Sequence, residues 1–543
     1  MLRSRVNKKG IGHIPQKCCG GSSIIDRMNK IENSNNIIQI SSNLNKLILP
    51  EKIKDKVVEN QEVLSVPPVP SVPMVVPQIK FEEISNIYLD NPEFVYCITG
   101  DNYDWKNYIL IQFNGSLNKI SEHTKETAMY LLEMSEDGSQ IVSSSLLYMY
   151  DGVRADCQYA QIKFLNNSDL IILGSYTGTL TFNKNEKKKT QINELTDGGY
   201  FLAKFTGIGS DLVKAEWVLP IIALGTQNVE MSLDISDNIY LAGTYQNLCR
   251  IGPLGAPNLT SSLINDMFLA KIKPTGSLEW LRTSDKSSLP NSSLGSIRAE
   301  GIVLNLSGGE ERLTVIGTYT NTFVYSNKDG TFLSVTNERP DLISNNMWVS
   351  QFNMNGDILW MNTPAPVGPT EQPGPLGYVT GYQIVYDFAN DLYITGTLLG
   401  GFIFNPEMGI VGGEEDLIFV AKISVDGKWI NYNYLRVKLN KNELDWYPHL
   451  MYNDRLYLSV YGIGDIYYNS EYMIVKKGTG NLTLWINTLI DNSWNEFPIG
   501  YQANVPNSSL NILPFKNDLI VLGSYIITPN NTNGFIKRLR VLV

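Results

Sequence analysis

Charged side chains are scarce in this chain of 543 residues, at 18% Asp, Glu, Lys and Arg together. There are three histidines (His13, His123 and His449) and five cysteines (Cys18, Cys19, Cys97, Cys157 and Cys249). Each shortage excludes something. An odd, irregularly spaced cysteine set makes neither a disulfide frame nor a zinc site, so free thiols in a reducing compartment are expected. No histidine has a partner at metal-ligand spacing, so no metal site is expected. The 44 basic against 54 acidic residues give a net charge of −10, which offers no cationic face to nucleic-acid phosphates or to an anionic membrane.

No apolar run reaches the length of a membrane span, and the N-terminus shows no apolar core of a secretory signal. A cytoplasmic or virion location is therefore expected, and Asn-x-Ser/Thr triplets such as Asn114, Asn258, Asn291, Asn481 and Asn507 read as incidental.

Local catalytic motifs are missing too. There is no Gly-rich phosphate loop before a helix, no Gly-x-Ser-x-Gly elbow and no Cys/His dyad. The acidic groups Asp234/Asp237, Asp387/Asp391 and Glu414-Glu415-Asp416 do not match a calcium loop and read as turn formers. Ser135-Glu-Asp-Gly138 and Ser424–Trp429 look like the Asp-box hairpins of sialidases, but arginines are too few and isolated to hold a substrate carboxylate. No catalytic residue, cofactor or metal ligand is assigned.

What is present is a repeat. Residues 1–78 stand apart from it: a weakly basic start ending in Cys18-Cys19-Gly-Gly, a polar stretch with a short helix around Pro50–Glu59, and a Pro-rich segment over 66–77. Repeated prolines fix φ and remove donors, so 1–78 is expected to be a disordered arm closed by a stiff linker. Its alternatives are a docking tail or a lipid anchor at Cys18/Cys19, which would need a second membrane signal.

From residue 79 to 543 two half-motifs alternate. The first recurs as FVYCITG (94–100), LIILGSY (170–176), IYLAGTY (239–245), LTVIGTY (313–319), LYITGTL (392–398), LYLSVYG (456–462) and LIVLGSY (519–525). The second recurs as MYLLEMSEDG (129–138), YFLAKFTGIG (200–209), MFLAKIKPTG (267–276), WVSQFNMNG (348–356), IFVAKISVDG (418–427), YMIVKKGTG (472–480) and FIKRLRVLV (535–543). These are short runs rich in Val, Ile, Leu, Tyr and Phe, bounded by Gly, Asn, Asp or Pro, which is the signature of strands. Asp137-Gly138, Asn355-Gly356 and Asp426-Gly427 are hairpin-turn pairs. Trp217, Trp280, Trp360, Trp429 and Trp485 follow the turns, and a further strand fits before each glycine motif, as at Val229–Ile235.

The unit is thus a four-stranded antiparallel meander. Such a unit cannot bury both faces alone, and radial stacking solves this, so the expected fold is an all-β, seven-bladed β-propeller. The last unit ends after its third strand, so Ile79–Leu89 is expected to close the ring beside Phe535–Val543. The pattern "apolar-x-Gly-Thr-Tyr … Phe-Leu-Ala-Lys … Gly-x-Leu-x-Trp", clearest at Leu241–Tyr245 with Met267–Trp280, resembles the SBBP-type β-propeller repeat. That resemblance implies a scaffold fold and no particular activity. The Asn-, Ile- and Lys-heavy usage is similar to that of proteins from large AT-rich DNA viruses.

The first functional expectation is a non-enzymatic scaffold docking a protein partner, which for a viral protein would be a virion component. Its binding surface would be the long loops Gly252–Asn265, Asp285–Arg298, Ser326–Asn346, Thr363–Tyr378 and Phe404–Asp416. The Trp series is expected to pack between blades rather than to bind ligand. The alternative is a carbohydrate-binding or hydrolytic propeller with a pocket in its central channel, built from several blades and invisible to local motifs.

Overall fold

The computed structural model describes strands between Lys80 and Leu542, with short connecting segments left out. The arm over 1–78, its Pro-rich 66–77, the Pro50–Glu59 helix, Cys18/Cys19 and His13 lie outside the described residues. The described residues are all-β. Their one helical element is the single 3-10 turn Pro406–Met408.

The strands Val229–Leu233, Ile239–Tyr245, Asp266–Ile272 and Leu278–Thr283 pair antiparallel in chain order, as the repeat requires. The same meander is built by Ala160–Phe164, Leu170–Tyr176, Gly199–Thr206 and Lys214–Ala223. It recurs in Ile297–Ser307, Glu310–Tyr319, Ile343–Phe352 and Ile358–Asn362. It recurs again in Gly377–Tyr386, Leu392–Ile403, Val411–Ile423 and Trp429–Lys438.

A steric reason underlies the motif glycine. A Cβ added at Gly174, Gly243, Gly317 or Gly396 would come within 2.6–2.9 Å of the ring of Phe201, Phe268, Trp348 or Phe419 on the third strand. The aromatic lies flat across its neighbour, which only a residue without a side chain permits. The other motif positions have equally local work. The Tyr245 and Tyr319 hydroxyls lie 3.0 and 3.2 Å from Thr283 and Thr363 Oγ1, which donate to the Met267 and Met347 carbonyls at 2.8 and 2.7 Å. The lysine of Ala-Lys reaches the aspartate that precedes the second strand: Lys204 to Asp169 at 2.9 Å, Lys422 to Asp391 at 2.8 Å.

Neighbouring meanders are held by tryptophan. The Trp217 indole sits where a Cβ on Gly276 would meet it at 2.8 Å, and it donates to the Pro274 carbonyl at 3.0 Å. Trp360 lies likewise over Gly427, at 2.7 Å, and donates to the Val425 carbonyl at 3.1 Å. Each ring of one meander covers the hairpin turn of the next, where the glycine has positive φ. These tryptophans are packing residues.

Two half-motif assignments are corrected. FVYCITG is not a second strand. It belongs to the first strand, Phe94–Tyr103, and the second is Lys106–Ser116, followed by His123–Met134 and Ile141–Asp151. Ile111 faces Tyr130 as Gly243 faces Phe268, so Ile111-Gln112-Phe113 stands in place of Gly-Thr-Tyr. YMIVKKGTG is not a third strand. Arg455–Gly462 pairs with Tyr447–Asn453 and with Leu482–Ile490, which pairs onward with Tyr501–Val505.

The expected separate four-stranded sheets are also corrected. Hydrogen bonding gives sheets of 10, 6, 4, 11, 2 and 5 strands. Parallel pairs join Phe94–Tyr103 to Asn531–Leu542 and Ile343–Phe352 to Gly377–Tyr386, and a hairpin inserted after the second strand reaches back to the last strand of the preceding meander. Thr179–Phe182 pairs with Ile141–Asp151, Leu248–Ile251 with Lys214–Ala223, and Asp465–Tyr468 with Trp429–Lys438. Tyr472–Val475 is the returning arm of the last of these. The hairpins cover edges that would otherwise expose unpaired backbone.

The final meander is Leu510–Phe515, Asp518–Thr528 and Asn531–Leu542. Lys80–Leu89 lies antiparallel to its last strand, from Lys80 opposite Leu542 to Leu89 opposite Gly534. Glu83 and Lys537 form an ion pair at 3.0 Å across that seam, and Ile87 and Leu89 are buried. This is the pairing expected from the incomplete last repeat.

Gly317→Ala would drive a Cβ to 1.8 Å from the Arg298 carbonyl and 2.7 Å from the Trp348 ring. It should cost about 1–3 kcal/mol, read as a lower denaturant midpoint. A chain beginning at residue 90 should melt several degrees below one beginning at residue 79 and lose amide protection along Asn531–Leu542. Equal melting of the two would refute the seam.

Candidate functional site

The first strands of successive meanders lie side by side. Ala160–Phe164 neighbours Phe94–Tyr103 and Val229–Leu233; Ile297–Ser307 neighbours Val229–Leu233 and Gly377–Tyr386. Tyr447–Asn453 follows Gly377–Tyr386, and Leu510–Phe515 neighbours both Tyr447–Asn453 and Phe94–Tyr103.

One register step on these strands stands out. It is the residue just after the one facing the motif glycine. Ala160 faces Gly174 and is followed by Gln161; Val229 faces Gly243 and is followed by Glu230. Ala299 faces Gly317 and is followed by Glu300, which bulges out of register; Gly381 faces Gly396 and is followed by Tyr382, which bulges likewise. The same step falls at Ile98, His449 and Asn511. A bulge re-aims a side chain without breaking the strand.

Glu230 is the centre of the described part of this step. Its Oε1 accepts the Tyr159 hydroxyl at 2.6 Å, and its Oε2 accepts the Gln161 amide. Gln161 is fixed in turn because its Oε1 accepts the Met231 backbone N–H at 2.9 Å. One strand further, Glu300 Oε2 accepts the Asn228 side-chain amide at 2.7 Å. Both glutamates are half-buried, so water reaches them while protein supplies most of their surroundings.

Burial dominates their acidity. It pushes the Glu230 carboxyl up to about 7 against the opposing hydrogen bonds from Tyr159 and Gln161, and the Glu300 charge adds to the rise. Burial also raises Glu300, against Asn228 and Arg298. The Tyr159 hydroxyl is driven well up by burial and then by the Glu230 charge, so it acts as a donor. Two carboxyls on adjacent strands, both shifted towards the protonated form, can supply an acid and a base.

The residues singled out in the sequence have other duties. Asp234 Oδ1 accepts the Ser236 and Asn238 backbone N–H groups at 2.9 and 2.8 Å, and Asp387 Oδ1 accepts those of Ala389 and Asp391 at 2.9 and 3.0 Å. These are turn-forming aspartates. Asp416 accepts the Tyr378 hydroxyl at 2.7 Å. Asp137 is lowered to about 2 chiefly by hydrogen bonds from Ser135 and Ser139, so Ser135–Gly138 is a structural hairpin. Cys249 is a buried free thiol that burial keeps protonated.

His123 and His449 lie on strands, but their side chains fall outside the described residues. Among the described residues no three His, Cys, Asp or Glu side chains gather as a metal site. Also among them, no helix is long and apolar enough to cross a membrane. Short strands lie within three of the expected binding loops: Asn258–Thr260, Phe332–Thr336 and Ala365–Val367. Part of the Thr363–Tyr378 loop, residues 368–376, lies outside the described residues.

Sequence reading missed Glu230 and Glu300 because it sought motifs contiguous in sequence. The signal that finds them is alignment of the strand before each glycine, which sets Gln161, Glu230, Glu300 and Tyr382 in one column.

No protein-family model and no curated protein matches the chain. Among solved structures it is similar to a protein of unknown function from Dyadobacter fermentans, at 11% identity and TM-score 0.38, over 72% of this chain and 97% of that one. It is also similar to the α-L-arabinofuranosidase Arb93A from Fusarium graminearum, at 11% identity and TM-score 0.35, over 71% and 93% of the two chains. A third is the polysaccharide lyase Uly1, at 8% identity and TM-score 0.36, over 82% and 90%. The expectation of a non-enzymatic docking scaffold is corrected here: similar solved structures carry the titles of carbohydrate-active enzymes. The chain itself holds two half-buried carboxyls, on adjacent first strands, that its local motifs do not reveal.

Because Glu230 holds its proton more tightly when folded, its contribution to stability is fully present below pH 4.5 and disappears as pH rises through about 7. The loss is on the order of 3 kcal/mol at most. Relative to Glu230→Gln, the wild-type melting temperature should therefore fall between pH 4.5 and 8. A constant difference across that range would show that Glu230 does not titrate as a buried carboxyl.

Proposed function

We propose that the chain is a seven-bladed β-propeller whose first strands line a central site, and that this site is carbohydrate-active. The succession of first-strand neighbours returns to its start, since Leu510–Phe515 lies beside Phe94–Tyr103, and the Lys80–Leu89 seam joins the two ends of the repeat region; both support the ring. The observation that carries the functional reading is the pair Glu230 and Glu300, at one register step of adjacent first strands and both shifted towards the protonated form.

Sugars offer hydroxyls that donate and accept, and carboxylate, amide and phenol side chains together meet that need. Glycosidic cleavage needs one carboxyl to protonate the leaving oxygen and a second to act as base or nucleophile. Glu230, which keeps its proton near neutrality, is assigned the acid role. Glu300, with one oxygen held by Asn228, is assigned the second.

The test is a panel of oligosaccharides scored for binding and for new reducing ends, with Glu230→Gln and Glu300→Gln in parallel. Cleavage by the wild type that falls at least 100-fold in either variant is the expected result. Binding without cleavage would make the site a lectin-like reader. Silence in both assays would overturn the reading.

A further inference from the structure

The two carboxyls are held alike, each by a residue that stands just before the first strand of the preceding meander. Tyr159, next to Ala160, donates its hydroxyl to Glu230 Oε1 at 2.6 Å. Asn228, next to Val229, donates its side-chain amide to Glu300 Oε2 at 2.7 Å. Both holders are fixed in turn by the residue after the motif glycine. Ser175 Oγ accepts the Tyr159 backbone N–H at 3.0 Å and donates to the Tyr159 carbonyl at 3.2 Å. The Thr244 backbone N–H donates to the Asn228 carbonyl at 3.4 Å. The Thr244 hydroxyl crosses to the next meander, where it accepts the Ala299 N–H at 3.2 Å and donates to the Ala299 carbonyl at 3.3 Å. Glu300 bulges from the strand directly after Ala299. A motif hydroxyl meets the step in a further meander too, where Thr397 Oγ1 donates to the Tyr382 hydroxyl at 3.3 Å.

From this arrangement we propose that Ser175 and Thr244 are positioning residues. Ser175 sets Glu230 through Tyr159, and Thr244 sets Glu300 through Asn228 and Ala299. The proposal rests on the carbohydrate reading above for the reaction that the two carboxyls serve.

The sheet itself does not ask for these hydroxyls. Thr244 is buried, and Val fits a buried strand as well as Thr does. A hydroxyl can donate and accept at once, so one side chain fixes both polar groups of a single residue. A reacting group displaced by about 1 Å can lose on the order of 100-fold in rate. A half-buried carboxyl that slips from its donor also loses the hydrogen bond that opposes its desolvation. The two arms are separate, so loss of one hydroxyl acts on one carboxyl more than on the other. Glu300 and Lys163 act by charge on Glu230, and Arg298 acts on Glu300. Substitution of Ser175 or Thr244 alters none of these charges.

The test uses the full chain with Ser175→Ala and Thr244→Val, and with the hydroxyl-retaining Ser175→Thr and Thr244→Ser. Each carboxyl is titrated without sugar. The readout is the pH dependence of the melting-temperature difference between a variant and the same variant carrying Glu230→Gln or Glu300→Gln. Ser175→Ala should raise the proton affinity of Glu230 at least threefold and that of Glu300 by less. Thr244→Val should do the reverse. Ser175→Thr and Thr244→Ser should restore the wild-type titrations. On an oligosaccharide that the wild type cleaves, both hydroxyl-free variants should lose at least 10-fold in kcat, with KM changed less than threefold.

A lower melting temperature with both titrations unchanged would make the hydroxyls structural. That result would overturn this inference and leave the carbohydrate reading standing. Equal movement of both carboxyls in each variant would overturn it as well. If one hydroxyl-free variant does not fold, its conservative partner and the other arm decide. Shifted titrations in a protein that neither binds nor cleaves sugar would support the positioning and overturn the carbohydrate reading.

Discussion

The fold depends on an aromatic ring laid across a glycine. In four meanders the third strand carries Phe201, Phe268, Trp348 or Phe419 against Gly174, Gly243, Gly317 or Gly396, and no side chain at the glycine fits beneath the ring. The ring then fills space that a Cβ would have taken, so the strand surface at that point is flat and apolar. That surface is where the preceding meander packs. Tyr240, Ala242, Met267 and Leu269 share a buried cluster with Ala299, Val315 and Trp348, which belong to the following meander. The tryptophan over the neighbouring hairpin turn repeats the device at the outer end of the sheet, again on a glycine.

The polar step lies one residue from this contact, and the adjacency has a physical basis. Side chains alternate along a strand, so the residue facing the glycine and the one after it point to opposite faces. Val229 and Met231 are buried while Glu230 between them is half-buried. Packing therefore holds the backbone of the first strand firmly where its carboxyls sit. Glu230 and Glu300 are tolerated at that depth because Tyr159, Gln161 and Asn228 supply donors, and because protonation removes the charge when burial becomes too costly. A fold that keeps two glutamates there gives up stability above neutrality, and functional sites commonly accept that cost.

The architecture was legible in the sequence wherever a residue's role is local. Gly-Thr-Tyr and Ala-Lys mark strands because the glycine, tyrosine and lysine each meet a partner within their own meander: ring on glycine, Tyr to Thr, Lys to Asp. The errors fell where a local pattern was ambiguous. FVYCITG has the apolar run and closing glycine of a second strand, yet it is a first strand, and only its pairing with Lys106–Ser116 decides that. Tyr472–Val475 has the apolar run of a third strand, but an inserted hairpin carries the same alternation. The long loops read as open because their strands are only three to five residues long.

What the sequence by itself determined is the repeating antiparallel meander, its turn glycines, and the need for an N-terminal strand beside the last one. These follow from steric limits and strand periodicity, which act over a few residues or on a simple count. What only the tertiary structure decided is that Glu230 and Glu300, 70 residues apart in the chain, occupy one step on adjacent strands with Tyr159, Gln161 and Asn228 around them. Their raised proton affinity is a property of surroundings, set by desolvation against the hydrogen bonds of partners from other repeats. No window of the sequence contains those partners together, so the chemistry became visible only when the first strands were set side by side.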